Sequence, residues 1–269
     1  MNSRPRRDAL GFLVLVFSAS TVVALALPHP PAAPLISAFL PVAVLGVLTP
    51  FLGRSVWRGL GLNRAGFRLW PAAIAVPAAA SAICYTVASG LGLMQELSAI
   101  RSSLPTLIVS AAIATVVVLG EEVGWRGFLL PRIQRLTVPW NAAILTGAAH
   151  AAVHLPVILF TTSYNSQGSR WVIAPLTMIT ITAAGIFYAW LRDSTQSIWP
   201  AAIAHATGNT LLAFVGSAAL PAASVSMAYI AGEGGWAAAA VVTAVALAVL
   251  RIARRTVWRR SEQPQLIST

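Results

Sequence analysis

The sequence predicts an all-α fold, a polytopic transmembrane helical bundle of about eight spans with both termini cytoplasmic, and three observations predict it. Hydrophobic residues make up 57% of the 269-residue chain and charged residues only 9%, a balance suited to a bilayer rather than to a soluble domain. The apolar runs are long and rich in Ala, Leu, Val and Ile, without the alternation of an outer-membrane barrel strand. The eighteen basic residues are all arginine, and they gather in alternate connecting segments.

The first span is predicted over Leu10 to Leu27. The preceding RPRR and the small residues Ala24 and Ala26 have the look of a signal peptide. An apolar run of about seventeen residues is long for a signal core, however, and suits a first span. The others follow as Ala33 to Leu52, Pro71 to Leu93, Pro105 to Leu130, Trp140 to Thr161, Trp171 to Leu191, Ile198 to Ala218 and Trp236 to Leu250. Leu220 to Gly235 either lengthens the last span or forms a re-entrant piece. Asn165, Gln167 and Gly168 belong to an outer loop without evident chemistry. No hydrophilic run is long enough for a soluble domain, so residues 1–269 read as one membrane domain.

With the N-terminus inside, fifteen arginines fall in inner segments: Arg4, Arg6 and Arg7; Arg54, Arg58, Arg64 and Arg68; Arg132, Arg135 and Arg192; and Arg251, Arg254, Arg255, Arg259 and Arg260. The outer segments receive Arg101 and Arg170 alone. Every turn then obeys the positive-inside rule, which points to a multi-pass protein of the cytoplasmic membrane. The same placement argues against nucleic acid as the partner of a chain with net charge +11, and assigns the basic tail to anionic headgroups. Cys84 is the only cysteine and lies in a span, which excludes disulfides and thiolate metal clusters.

Against this apolar background a few polar residues stand out. Glu121 and Glu122 are adjacent in GEEVGWRGFLL, although the chain holds only seven acidic residues. A bare carboxylate in hydrocarbon is costly and marks a functional candidate. Arg126, four positions after Glu122, can pair with it on a helix. Glu121, turned about 100° away, is left without a local partner. His150 and His154 in GAAHAAVHLP, and His205 and Asn209 in IAHATGNT, are also spaced four apart. Counted from the inner loops, Glu121, His154 and His205 lie roughly 17, 21 and 18 Å deep. Three spans thus bring polar side chains to one level near the middle of the membrane. Gly120, Gly124 and Gly127 strip bulk from the acidic helix and allow close helix approach.

A carboxylate beside a histidine can take a proton from water, and a second histidine with an amide can stabilise an oxyanion. Those parts suit peptide-bond hydrolysis without a serine or cysteine nucleophile. Zinc is the alternative, with Glu121, His150, His154 and His205 as candidate ligands. The spacing of His150 and His154 is that of HExxH, but Ala151 stands where its glutamate would be. Metal-free water activation is the preferred of the two.

These motifs resemble the CPBP family, which includes type II CAAX prenyl endopeptidases and bacteriocin-processing or immunity proteins. Glu121, Glu122 and Arg126 supply EExxxR, followed by Gly127 and Phe128; His205 and Asn209 supply HxxxN. The family's FxxxH reads HAAVH here, with His154 in place and His150 replacing the aromatic residue. The resemblance covers about residues 105–212. It implies an eight-helix membrane fold with the catalytic cavity opening toward the cytoplasm. It further implies Glu121 and His154 as the water-activating pair, His205 and Asn209 as transition-state stabilisers, and Glu122 with Arg126 as supports. The expected partners are the lipid bilayer and a membrane protein or peptide substrate, with lipidated CAAX-type chains among the options. His150 could add a metal ligand, tune His154 or fill the aromatic slot.

Two rivals are weighed against an endopeptidase. A non-catalytic immunity or adaptor protein of the same fold would not need an unpaired Glu121. A proton-relaying transporter would show repeated motifs in two halves, and none is found. A reporter fused after Arg260 should read cytoplasmic and one near Gln167 external; the opposite pair of signals would overturn the topology.

Overall fold

The computed structural model describes residues 4–27, 32–94, 100–162, 168–217 and 220–262. Asn165 and Gln167 of the expected outer loop lie outside the described residues. Eight helices of 19 to 26 residues form the bundle. They are α1 (Arg4–Ala26), α2 (Ala32–Leu52), α3 (Trp70–Gly90), α4 (Ile100–Glu122), α6 (Pro139–Phe160), α7 (Arg170–Thr195), α8 (Trp199–Ser217) and α10 (Trp236–Arg255). Three shorter helices complete the order: α5 (Leu130–Ile133), α9 (Ser224–Ile230) and α11 (Val257–Glu262). Seven of the spans are long and apolar enough to cross a bilayer by length and composition alone. The exception is α8, which carries His205, Thr207, Asn209 and Thr210 along its middle and packs against α3, α4 and α7.

Proline starts several helices, at Pro71, Pro139 and Pro200, where a missing N–H costs nothing and the fixed φ already fits. The acidic helix departs from the simple span that the sequence suggests. After Glu122 the chain winds as a π-helix over Val123–Leu129, every residue of it buried, before Pro131 enters α5. Such wider turns are rare and recur at functional sites. Leu220 to Gly235 does not lengthen the last span. It forms a short 3-10 turn, Pro221–Ala223, and then α9, whose Met227 packs with Cys84, Ala88, Ala237 and Ala238.

The two ends of the bundle differ in chemistry. At the arginine-bearing end, Asp193 accepts from Gln134 and from the Trp258 indole, both at 2.8 Å. There too Arg192 reaches the Gly59 carbonyl at 3.2 Å and Arg132 lies 3.7 Å from Asp8. At the far end, Leu220 N–H bonds the Leu93 carbonyl and Ser169 N–H the Tyr229 hydroxyl.

Glycines set the helix spacing around the middle. A Cβ on Gly124 would lie 2.3 Å from Pro41, and one on Gly147 would lie 2.6 Å from the Thr182 carbonyl oxygen. Gly185 faces Gly147 across the same α6–α7 contact, and its own Cβ would also meet Arg126 Nη2 at 2.9 Å. Close approach here therefore makes room for a guanidinium as well as for backbone. Gly147→Ala should lose about 1–3 kcal/mol of stability through overpacking, read as a lower melting temperature in detergent. Gly11→Ala, where the added atom meets nothing within 4 Å, should be unchanged.

Candidate active site

α4, the π-helix, α6 and α8 bring the expected polar residues to one place. Arg126, fully buried on the π-helix, donates from Nη1 to Glu122 Oε1 at 2.9 Å. The same nitrogen lies 3.3 Å from His150 Nδ1. A guanidinium has donors only, so His150 Nδ1 must accept. A neutral imidazole carries one proton, which places it on Nε2. From there His150 donates to Glu121 Oε2 at 2.7 Å. Glu121 is thus held by His150 from the neighbouring helix, and its lack of a local partner no longer tells an enzyme from a scaffold of the same fold.

The same reasoning orients the other two rings. His154 Nδ1 donates to the His150 carbonyl at 3.1 Å, because a carbonyl only accepts. His205 Nδ1 bonds Glu122 Oε1 at 3.0 Å, so one carboxylate oxygen serves both Arg126 and His205. Ring stacking fixes the planes: Trp125 on His150 with centroids 5.0 Å apart, and Tyr188 on His205 at 5.3 Å. Tyr188 also lies under the Arg126 guanidinium, 5.0 Å from ring centroid to Cζ. Asn209, one turn beyond His205, is exposed to the cavity.

Among the described residues, Glu121, His150 and His154 offer ligand atoms within 4.8 Å of one another. His205, a sequence candidate for a metal ligand, is instead turned to Glu122. The hydrogen bonding does not fit a zinc ion, because the His150 nitrogen facing Glu121 holds a proton where a ligand needs a lone pair. Glu121 and His154 alone fall short of the three protein ligands of a catalytic zinc site. His150 is stacked on Trp125 and bonded to the Glu121 carboxylate.

The cluster lines a cavity of about 610 Å³, within the range of small-ligand and substrate sites. His150, His205 and Asn209 also border a narrow chamber of about 70 Å³ between α3, α7, α8 and α10. One residue missed in the sequence reaches both spaces. Glu233, in the turn before α10, lines the large cavity beside Glu121, His154, His205 and Asn209. A Cβ on the next residue, Gly234, would lie 2.4 Å from Ile173 and 2.9 Å from Thr177, so this turn is pressed onto α7. The GEGG run was the available signal, hidden because it belongs to no span. Burial pushes the Glu233 carboxyl up from its ordinary value; His154 and His205 pull it back and Glu121 adds to the rise.

Residues 102–211 match the family described as type II CAAX prenyl endopeptidase Rce1-like. No curated protein matches the chain. The family match begins in α4 and ends within α8, so it contains every site residue named above except Glu233. It falls on the segment that carries the CPBP motifs and bears out that resemblance. The chain is a multi-pass membrane protein, similar over this segment to a family of membrane proteases.

Two measurements check this geometry. His150→Phe keeps an aromatic ring on Trp125 but removes a hydrogen bond to a charged group, worth about 1.5–3 kcal/mol. Turnover should fall roughly 10–100-fold, without loss of any bound zinc. Glu233→Gln should leave stability unchanged below about pH 4, where a carboxyl is neutral in both states. With a raised carboxyl, the wild type's stability declines as pH climbs from the ordinary carboxylate range to the folded-state value. The amide variant escapes that decline and should melt higher at neutral pH.

Proposed function

We propose that the protein is an intramembrane endopeptidase of the cytoplasmic membrane, cutting a peptide bond in a membrane-associated protein or peptide. The observation that carries this reading is the placement of Glu121 and His154 within 4.8 Å on the wall of a substrate-sized cavity. A water between the Glu121 carboxylate and His154 Nε2 would give a proton to Glu121 as its oxygen attacks the carbonyl carbon. The carbonyl electrons move to oxygen, where His205 as an imidazolium, with Glu122 as counter-ion, and the Asn209 amide donate hydrogen bonds. Collapse restores the C=O and breaks the C–N bond, and the proton held by Glu121 passes to the leaving amine.

Charge balance supports the division of labour. Glu122 is engaged directly by the Arg126 guanidinium and by His205, whereas among the described residues Glu121 is bonded to the His150 ring and lines the cavity, as a proton acceptor should. CAAX-type lipidated chains are a substrate class that the family match supports.

The test separates base from brace. Glu121→Gln should lower turnover by about 10²–10⁴-fold while the melting temperature holds. Uncut substrate should then accumulate in the membrane proteome relative to wild type. Glu122→Gln should lose about 3–5 kcal/mol of stability by leaving Arg126 buried without its carboxylate. A silent Glu121→Gln would favour the non-catalytic adaptor.

A further inference from the structure

Glu233 is a carboxyl in the cavity wall that the proposed hydrolysis does not use. It borders both the large cavity and the narrow chamber, together with His150, Ile181, His205 and Asn209. Those shared residues mark where the two spaces adjoin. The turn that carries Glu233 has little freedom. Gly235 N–H bonds the Gly232 carbonyl at 2.8 Å, and a Cβ on Gly235 would lie 2.5 Å from the Ile230 backbone. With Gly234 pressed onto Ile173, the backbone is fixed on both sides of the carboxyl.

The groups around Glu233 are already engaged with one another. Glu122 bonds Arg126 and His205, Glu121 bonds His150, and His154 bonds the His150 carbonyl. Glu233 itself makes no hydrogen bond or ion pair among the described residues, and its oxygens are not closed off by neighbouring atoms. Its other neighbours along the chamber include Leu212, Ala238 and Val242, which offer a carboxylate nothing.

The formal charge of the two spaces has one sign. Glu121 and Glu233 line them, and no arginine does among the described residues, although the chain has eighteen arginines and only seven acidic residues. Arg126 is fully buried and turned to Glu122. A cleft lined by charge of one sign draws in the opposite sign. Burial among apolar groups, which disfavours the charged form of Glu233, is offset when a cation is brought to it. Lys and Arg suit such a place, because their apolar stems can lie along a hydrophobic wall while the head reaches the carboxylate. An acidic side chain there would meet two carboxylates.

We propose that Glu233 is a substrate-recognition residue that pairs with a Lys or Arg side chain, so that the polypeptide cut here is an apolar segment with a basic residue close to the scissile bond. The substrate class rests on the endopeptidase reading; the cation subsite does not.

Peptide binding tests the subsite without requiring turnover. Full-length Glu121→Gln protein in nanodiscs leaves Glu233 as the acidic group of the cavity and holds peptide uncut. Fluorescent apolar peptides each carry a single Lys, Gln or Glu, moved along the sequence from one peptide to the next. Anisotropy is read against protein-free nanodiscs to remove partition into lipid. At the position that meets Glu233, the Lys peptide should bind roughly 10–100-fold more tightly than its Gln counterpart, as a hydrogen bond to a charged group allows, and the Glu peptide least. Adding Glu233→Gln should make the Lys and Gln peptides equal, and Glu233→Arg should favour the Glu peptide. Equal binding of Lys and Gln peptides at every position, or a Lys preference that survives Glu233→Gln, overturns the proposal. Protein with Glu121 intact that binds the Lys peptides through Glu233 yet cuts none would remove the endopeptidase reading and leave the subsite standing.

Discussion

The Arg126 guanidinium is the constraint around which the rest of the site is arranged. It is fully buried at membrane depth, where an unpaired charge is not tolerated. Glu122 neutralises it from four residues earlier, and Tyr188 offers a ring face below. The remaining space comes from Gly147 and Gly185, which bring α6 and α7 so close that no side chain fits between them. One nitrogen of the guanidinium then decides the chemistry of the next layer. By donating to His150 Nδ1 it places the ring proton on Nε2, and that proton is what holds Glu121.

From this arrangement follow two unlike carboxylates one residue apart. Glu122 is locked between Arg126 and His205 and has no surface of its own. Glu121 is bonded to the His150 ring and looks into the cavity. The π-helix below it contributes both the arginine and the buried floor that closes one side.

Much of this was legible in the sequence, for local reasons. Long apolar runs fix the spans, and Glu122 with Arg126 is a neighbour relation that spacing alone reveals. Counting residues from the inner loops put Glu121, His154 and His205 at a common depth, and the structure gathers their helices around one cavity. The partner of Glu121 was not legible. It stands 29 positions away on another helix, and only the rotation of α6 against α4 makes it a partner. The π-helix left no trace because hydropathy over VGWRGFL does not register a change of winding. Glu233 was not legible because it sits on a connection between spans, where sequence gives no depth, and that connection folds back to the cavity.

The central claim is the proton position on His150, since metal-free activation and the orientation of Glu121 both depend on it. Nitrogen-15 NMR of the histidine-labelled protein in detergent or nanodiscs reads that position directly, with His150→Phe to assign the signal. The account predicts a neutral His150 with a protonated Nε2 and an unprotonated Nδ1 accepting from Arg126. A proton on Nδ1, or a metal-bound Nε2, would contradict it.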